Sequence, residues 1–302
     1  MQLSSDKEGK LTKLSVIIPC FNGADTIAAQ LDALAGQQWS EPWEVIVSDN
    51  GSTDNSIEIV ERYRNSLPGL RVVDASARRG QPYALNVGVQ AAYGESVALC
   101  DADDEIALGW VQAMGNALLK HDFVACRMEI SKLNPSWTLK SRRNPQDSRV
   151  QKYIYPPYLP HAGGGTLGFK RKLWEEVGGF DEAFPCLHDT DFCWKIQNMG
   201  VKLEFVPDAV IHIRFRTNIK GIFRQALSYA EYNVKIYKKY MAIDMPQIDR
   251  KRGLIDLLKF IKRFVLNIPR IRNKEAVALW AWKLGWNIGR IKGSVKYKVF
   301  AI

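Results

Sequence analysis

The chain has 302 residues, of which 46% are hydrophobic, and a formal net charge of +10. This length and composition predict a large hydrophobic core in one sizeable domain with an extension. Five cysteines, an odd number without a CxxC pair, argue against a disulfide scaffold and predict the reduced thiols of an intracellular protein. Residues 1–13 are polar and charged and carry no signal-peptide apolar region, which predicts a cytoplasmic location.

Predicted strands and helices alternate along the first hundred residues. Short apolar runs typical of buried parallel strands are separated by stretches with helical apolar spacing. The predicted strands are residues 14–19, 43–48, 70–73 and 96–100, with helices beginning near residues 27, 55 and 83. This alternation predicts an α/β fold with a mostly parallel central sheet, helices on both faces and right-handed crossovers.

Polar residues follow three of these strands, at Asn22-Gly23, Asp49-Asn50-Gly51-Ser52 and Asp101-Ala102-Asp103. The carboxyl ends of parallel strands meet at one edge of a sheet, where open α/β sheets bind their ligands. The sequence therefore predicts a nucleotide site at this edge. No GxGxxG follows the first strand, which argues against a dehydrogenase.

Asp101 and Asp103 leave the fourth strand with one residue between them. Along extended backbone their side chains point the same way, so both can face one hard cation that carries a diphosphate. The alternative is structural, because Asp103 or Asp104 would also serve as the N-cap of a helix near residues 108–120.

These segments, with two later ones, resemble the family 2 inverting glycosyltransferases, which have the GT-A fold. The resemblance runs in order over residues 13–213. It rests on the opening strand with its Pro-x-x-Asn turn, the 47–54 signature, Arg79-Gly80 with residues 84–88, the DxD motif at 101–103, and the segments 178–182 and 188–192. It implies a Rossmann-like sheet, a nucleotide-sugar donor and a carbohydrate or lipid-linked acceptor.

The resemblance also implies which residues contact the donor: Pro19, Asn22, Asp49, Arg79, Asp101, Ala102 and Asp103. For Asp49 we favour a contact with the nucleobase of the donor. Ser52 and Asp54 could instead be N-caps of the helix from about residue 55, and we favour this capping role for Asp54. Arg78 is the alternative to Arg79 as a diphosphate ligand, and a solvated arginine pair is the structural alternative. Many relatives have aspartate at the position of Asn50, which leaves the nucleoside preference open.

By the same analogy Asp103 contacts a divalent cation directly, and Asp101 positions the ribose or a metal-bound water. His212, on a predicted strand at 209–213, is the further metal ligand. Carboxylate with imidazole favours Mn²⁺, with Mg²⁺ as the alternative. A histidine on an apolar strand is otherwise an internal hydrogen-bonded residue.

Inverting transfer requires a base for the acceptor hydroxyl, and the matching residue is Asp189, at the start of a predicted helix. Asp191 is the alternative base. The family commonly has glutamate where this chain has His188, which can tune Asp189 or take part in proton transfer. The structural alternative is that both aspartates stabilise a helix N-terminus. A loop at 153–166, rich in tyrosine, proline and glycine, is expected either to contact the acceptor or to be a packed surface loop with aromatic anchors. Trp137 and residues 140–143 are expected to form part of a lid.

The charge of the chain is concentrated in its last part. Residues 214–302 carry 21 basic and 5 acidic residues, a net of +16, whereas residues 1–213 carry −6. Helices are predicted at 219–240 and 276–288, with an apolar stripe between 254 and 265. No run reaches the roughly 18 apolar residues of a spanning helix, so we expect helices that lie on an anionic membrane or, alternatively, pack on their own domain. Nucleic acid is not an expected partner, because no recognition motif accompanies the charge.

Together these inferences predict a GT-A catalytic domain at 1–215, with a nucleotide-binding half at about 13–105 and an acceptor-binding half at about 106–215. Residues 216–302 are predicted to form a basic, amphipathic helical extension. The expected function is inverting sugar transfer in envelope polysaccharide or glycolipid synthesis, by a protein peripheral to the inner face of the plasma membrane. The alternative is a non-catalytic nucleotide-sugar or carbohydrate-binding protein with the same fold.

Overall fold

The structure is a computed structural model that describes residues 12–152, 158–251, 253, 255, 258–259 and 272–301. The polar start of the chain, the tyrosine- and proline-rich residues 153–157 and most of the predicted stripe at 254–265 lie outside the described residues.

Over residues 14–99 strands and helices alternate in the order expected from the sequence. In chain order the elements are β1 (Leu14–Cys20), α1 (Ile27–Ala35), β2 (Trp43–Asp49), α2 (Ser56–Glu61), β3 (Arg71–Asp74), α3 (Gln81–Gln90), β4 (Ser96–Leu99), β5 (Glu105–Ile106), α4 (Trp110–Leu118), β6 (Phe123–Glu129), α5 (Ser136–Ser141), β7 (Leu167–Lys170), α6 (Arg171–Glu176), α7 (His188–Asn198), β8 (Glu204–His212), α8 (Ile219–Met241) and α9 (Lys274–Tyr297).

The first four strands form the parallel half of the sheet. β1 pairs with β2 and with β4, so that Val16 lies between Val45 and Ala98, and β2 pairs in turn with β3. The side chains of β1 are almost wholly buried, because a strand covered on both faces must be apolar on both. The parallel alignment places the carboxyl ends of β1, β2 and β4 at one edge.

Beyond β4 the pairing becomes antiparallel. β7 pairs in this sense with β4, where Val97 lies opposite Phe169, and with β6, where Val124 lies opposite Gly168. The whole sheet has eight strands in the order β3-β2-β1-β4-β7-β6-β8-β5 and is therefore mixed. Antiparallel partners need no helical crossover, so strand–helix alternation in the sequence does not reveal this half.

The chain divides into two compact units built from separate stretches of sequence. The first comprises the described residues within Met1–Arg127, Gly164–Phe180 and Glu204–Ile211, and contains the parallel strands. The second comprises those within Met128–Gly163, Asp181–Leu203 and His212–Ile302, and contains α5, α7, α8 and α9. The domain boundaries inferred from the sequence at 105 and 215 stay a prediction.

In the second unit α9 packs closely against α8 through small residues. Glycine recurs every fourth residue on α9, at Gly285, Gly289 and Gly293, and all three are buried. A Cβ on Gly285 would lie 2.5 Å from the carbonyl oxygen of Phe223, and one on Gly289 would collide with that of Leu227. One face of α9 is thus a helix-packing face, which is the alternative to membrane contact that the sequence left open.

Candidate active site

Two turns at the carboxyl ends of β1 and β2 are joined by hydrogen bonds. Asn22 has a φ of +50°, in the left-handed region that asparagine tolerates. Its N–H donates to Oγ of Ser52 at 3.0 Å, and its Oδ1 accepts from the N–H of Thr53 at 2.8 Å. Pro19 lies just before this turn, opposite Ser48. The predicted donor-binding residues of the first strand therefore lie on a turn that is fixed by the second.

Asp49 and Asp54 have different protein partners. Asp49 Oδ1 accepts the N–H of Ser52 at 2.9 Å. Asp54 accepts the N–H of Ala24 at 3.1 Å and, through Oδ1, the N–H and hydroxyl of Ser56. The hydroxyl of Ser56 is the main cause of the lowered pKa of Asp54. Asp54 thus satisfies the first N–H of α2, as the capping interpretation expects, although the N-cap position itself is Asn55, whose side chain makes no cap hydrogen bond.

Asn50 is buried and uses both ends of its amide. Nδ2 donates to the carbonyl oxygens of Ala75 and Arg78 at 2.6 and 2.7 Å. Oδ1 accepts the N–H of Gly80 at 2.8 Å. The side chain therefore ties the loop after β3 to the end of β2. An aspartate here would have no protons for the two carbonyls, which explains why this chain has an amide.

Arg79 lies on that loop and is oriented by two contacts. Its Nη1 donates to the carbonyl oxygen of Asn50 at 2.6 Å, and its guanidinium lies over the ring of Phe21, 4.2 Å from the centroid. Phe21 is 52% exposed. Arg78 lies less closely over Tyr83, at 5.7 Å. Of the two arginines, Arg79 is the one stacked at the edge where β1 and β2 end.

Three carboxylates converge after β4. One ligand atom from each of Asp101, Asp103 and Asp104 lies within 4.8 Å of the others. Asp103 is exposed, whereas Asp104 is only 4% exposed. Helix α4 has Gly109 at its N-cap and no side-chain cap hydrogen bond, so neither Asp103 nor Asp104 caps it. The capping alternative is excluded, and a third carboxylate joins the two that the motif names.

The surroundings of this acidic group fit a hard divalent cation. Gln81 Nε2 donates to Asp101 Oδ1 at 2.8 Å, and Gln30 Nε2 donates to the Asp101 carbonyl oxygen at 3.2 Å. Gly165 leaves room beside the carboxylate, because a Cβ there would lie 2.9 Å from Asp101 Oδ2. An oriented group of carboxylate oxygens is the ligand set that Mn²⁺ or Mg²⁺ accepts.

His212 belongs to the second unit, where it pairs with Glu129. Its Nδ1 lies 2.7 Å from Glu129 Oε2. Burial acts to raise the pKa of Glu129, but hydrogen bonds from Ser131 and His212 outweigh it and lower the pKa to about 2. The carboxylate is therefore charged and orients the imidazole through Nδ1.

The predicted base Asp189 lies in the first turn of α7, after Leu187, which has a φ of +64°. Asp189 Oδ1 accepts the N–H of Thr190 at 2.7 Å. Two histidines of the same unit lie nearby. Desolvation lowers the pKa of His161 to about 4 and also lowers the pKa of His188, while the negative charge of Asp189 acts in the opposite direction on both. Both imidazoles are therefore neutral at pH 7.

Asp191, the alternative base, is 0% exposed. Its Oδ1 lies 2.7 Å from Lys239 Nζ and 3.0 Å from the hydroxyl of Tyr240. A carboxylate enclosed in this way has no face for an incoming hydroxyl, whereas Asp189 is half-buried.

The sequence profile of glycosyl transferase family 2 matches residues 15–178, from β1 to the end of α6. The chain belongs to this family. The uncharacterized glycosyltransferase YibD of Escherichia coli K12 is 34% identical over 74% of this chain and 69% of its own length. Poly(ribitol-phosphate) beta-N-acetylglucosaminyltransferase TarS of Staphylococcus aureus is 40% identical, over 32% of this chain and 17% of TarS. This sequence match covers less than a fifth of TarS.

Solved structures of glycosyltransferases confirm the predicted GT-A fold. Mannosyltransferase PcManGT of Pyrobaculum calidifontis, in complex with GDP-Man and Mn²⁺, superposes with a TM-score of 0.63 at 22% identity, covering 93% of this chain and 86% of that one. TarS 1–349 of S. aureus with UDP-GlcNAc gives 0.56 at 18% identity, covering 96% and 93%. None of the helices in the described part of this family 2 glycosyltransferase has the length and apolar composition of a membrane crossing.

Some residues that contact the candidate site residues of this glycosyltransferase were not found from its sequence. Asp104 adjoins the DxD motif, but only the distances between the three carboxylates in the fold reveal that it joins the acidic group. Gln81 and Glu129 carry no motif, and they contact Asp101 and His212 from other elements. Lys239 and Tyr240 lie in the predicted extension, and no sequence signal connects them with Asp191.

Proposed function

We propose that this protein transfers a sugar from a nucleotide diphosphate donor to an acceptor hydroxyl, with inversion at the anomeric carbon and with a divalent cation at Asp101, Asp103 and Asp104. The convergence of these three carboxylates after β4 carries the proposal. Structures with the same fold contain GDP-Man with Mn²⁺ or UDP-GlcNAc, which supports a donor and a metal of these classes.

On the donor side the proposal assigns binding roles to residues at the ends of β1, β2 and β4. Asn22 and Asp49 lie on joined turns, and Arg79 presents a stacked guanidinium to phosphate oxygens. When bound, the cation supplies Lewis-acid stabilisation of the charge that develops on the leaving diphosphate. The main chain at Pro19 and Ala102 lines the same strand ends.

On the acceptor side Asp189 is the proposed base. The acceptor oxygen attacks the anomeric carbon, its proton passes to the Asp189 carboxylate, and the bond from that carbon to the diphosphate oxygen breaks. No bond to the enzyme forms. Burial lowers the pKa of His161 to about 4 and also lowers the pKa of His188, which makes both rings weaker bases than a free imidazole and favours the carboxylate as the proton acceptor.

His212 remains the proposed additional metal ligand. A metal-binding histidine commonly donates its other ring N–H to a carboxylate, and Glu129 occupies that position at Nδ1. Nε2 is then the ligand atom. An imidazole beside carboxylates favours Mn²⁺ over Mg²⁺.

A panel of nucleotide sugars tests the function. We expect one of them to raise the melting temperature in the presence of Mn²⁺, and Asp103→Asn to abolish that shift. Asp189→Asn should keep the shift and lower the rate of transfer by about 10²- to 10⁴-fold, because it removes a general base. Asp208→Asn, an exposed aspartate on β8, is the matched control.

Two results would contradict the proposal. One is the absence of any Mn²⁺-dependent shift across the panel. The other is transfer at the normal rate by the Asp189→Asn variant. Donor binding by the unaltered protein without transfer to any acceptor would instead support the non-catalytic alternative.

The proposed process is envelope polysaccharide or glycolipid synthesis, and the proposed location is the inner face of the plasma membrane. TarS and a relative from Bacillus spizizenii are named as poly(ribitol-phosphate) sugar transferases, which supports a polymeric acceptor. The net charge of +16 in residues 214–302 suits an anionic surface. On α9, Ile288, Ile291 and Val295 form an exposed apolar stripe at helical spacing, with Val295 75% exposed.

Flotation with vesicles of phosphatidylglycerol and phosphatidylcholine tests the membrane contact. We expect the protein to float with anionic vesicles, and the double variant Ile291→Glu, Val295→Glu to float much less. Leu108→Glu, at an apolar residue that is 84% exposed in the first unit, is the control and should float normally. Failure of the unaltered protein to float, or equal flotation of all three, would exclude a contact through α9.

A further inference from the structure

The last turn of α8 contacts the first turn of α7 through a buried carboxylate. Tyr240 places its hydroxyl 3.0 Å from Asp191 Oδ1 and 3.1 Å from the Asp191 carbonyl oxygen. Lys239 Nζ lies 2.7 Å from the same Oδ1, and Lys195 Nζ lies 3.6 Å from Oδ2. Asp191 is wholly buried and cannot be hydrated, so these polar and charged groups compensate for the desolvation of its carboxylate.

Lys239 also binds a second aspartate, on the segment before α7. Its Nζ lies 3.0 Å from Asp181 Oδ2, while Asp181 Oδ1 accepts the N–H of Ala183 at 3.0 Å. Burial acts to lower the pKa of Lys239, but the contacts with Asp191 and Asp181 outweigh it and raise the pKa. One charged ammonium therefore joins the two ends of the segment that leads into α7. We call Asp181, Asp191, Lys239 and Tyr240 the α7–α8 anchor.

The ring of Tyr240 extends this contact to the loop that contains His161. Its centroid lies 4.9 Å from that of Trp194 and 5.7 Å from that of Tyr158. Trp194 Nε1 donates to the carbonyl oxygen of Leu159 at 2.8 Å. The last turn of α8 thus contacts α7 and, through Trp194, the loop that contains Leu159 and His161.

We propose that Lys239 and Tyr240 are positioning residues for sugar transfer, which act through Asp191 to orient the first turn of α7 and so the carboxylate of Asp189. This inference rests on the proposed role of Asp189 as base. Asp189 lies two residues before Asp191 in one helical turn, so its direction follows from how Asp191 is fixed. Asp191 is accordingly an anchor and not a base, and α8 is part of the acceptor side of the enzyme.

Kinetics of three variants, with the nucleotide sugar that the panel identifies, test the positioning. Lys239→Met and Tyr240→Phe should each lower kcat about 10- to 100-fold with little change in the donor KM, because a displacement of the base by about 1 Å has that effect on rate. Lys239→Arg should restore most of the rate. A normal kcat in both Lys239→Met and Tyr240→Phe would overturn the proposal. If Lys239→Met fails to fold, the kcat values of the single variants Tyr240→Phe and Lys239→Arg decide the question.

A double variant tests whether Lys239 acts through Asp191. If it does, Lys239→Met combined with Asp191→Asn should lower kcat no further than the worse single variant. Multiplication of the two losses would show that Lys239 acts independently of Asp191 and would overturn the proposed route.

Nuclear magnetic resonance of the four histidine rings separates this inference from the proposed function, because it needs no substrate. Lys239→Met should shift the resonance of His188, at the start of α7, and leave that of the exposed His121 unchanged. A shifted His188 resonance together with an active Asp189→Asn variant would disprove the role of Asp189 as base but support the role of the α7–α8 anchor in orienting α7. An unshifted His188 with an inactive Asp189→Asn variant would disprove the anchor alone.

Discussion

Asn50 illustrates how a single atom type decides the role of a residue at the donor edge. Its amide donates to two carbonyl oxygens and accepts from Gly80, and it is only 5% exposed. The main-chain carbonyl oxygen of Asn50 in turn accepts a hydrogen bond from Arg79 Nη1. A side chain that is buried for structural reasons therefore determines where the proposed phosphate ligand lies.

We predict that Asn50→Asp lowers the free energy of unfolding by about 1–3 kcal/mol, because a buried acceptor would then face two carbonyl oxygens without a proton between them. Urea unfolding measures the change. Asn55→Asp is the matched control, since Asn55 is exposed at the N-cap of α2 and makes no side-chain cap hydrogen bond. Equal stability of the two variants would show that the three hydrogen bonds of Asn50 contribute little.

Residues with similar sequence signals have different structural roles. Asp54 satisfies the start of α2, as its position after the second strand predicts. Asp191 has the same helix-start pattern as Asp189, but it is buried against Lys239 and Tyr240. Local sequence cannot separate these cases, because burial depends on what another element places against the side chain.

At the scale of elements, the packing of α8 against α9 depends on small residues, glycine on α9 and alanine on α8. Gly285, Gly289 and Gly293 allow the two backbones to approach within van der Waals contact, and Ala226 and Ala230 of α8 lie opposite them. From its composition, this tryptophan-rich helix with a basic flank is expected either to lie on a membrane or to pack on its own domain. Its glycine face packs on α8, and its exposed apolar stripe lies elsewhere on the same helix.

We predict that Gly289→Ala destabilises the protein by about 1–3 kcal/mol, although alanine is the better helix former, because the added methyl collides with the carbonyl oxygen of Leu227. Thermal and urea unfolding measure the change. Lys283→Ala, at an exposed position of α9, should leave stability within about 0.5 kcal/mol of the original. A stabilised Gly289→Ala variant would show that α8 and α9 can move apart without loss.

At the scale of the whole molecule, the described residues form two compact units, and the chain passes between them several times. The donor-side residues Asn22, Asp49 and Asp101 belong to the first unit, whereas Asp189 belongs to the second. The described residues within His212–Ile302 belong to the second unit. Stability of the second unit therefore bears on the acceptor side of the proposed reaction.

We predict that the protein loses stability as the pH falls from about 6.5 to 4. His161 has a pKa of about 4 when folded and about 6.5 when unfolded, so between these values the unfolded state binds a proton that the folded state does not. The contribution of His161 to the free energy of unfolding is fully present above the unfolded-state pKa of about 6.5, and about 3 kcal/mol of it is lost by pH 4.

Urea unfolding at pH 7, 5.5 and 4 measures this dependence. His161→Gln should remove its share of the loss, and His121→Gln, at an exposed position of the first unit, should leave the dependence unchanged. A pH dependence that is the same in the unaltered protein and in His161→Gln would show that His161 is not desolvated in the folded state.

The sequence by itself determined the parallel half of the sheet and the positions of the polar turns, because short apolar runs and strand-end motifs are local and periodic. Only the tertiary structure decided that Asp104 joins the acidic group and that Asp191 is enclosed by Tyr240, 49 residues further along the chain. It also decided that glycines make one face of α9 a packing face. These outcomes depend on which helices and strands pack against one another. The residue pattern within one helix or strand does not show which other element it will contact.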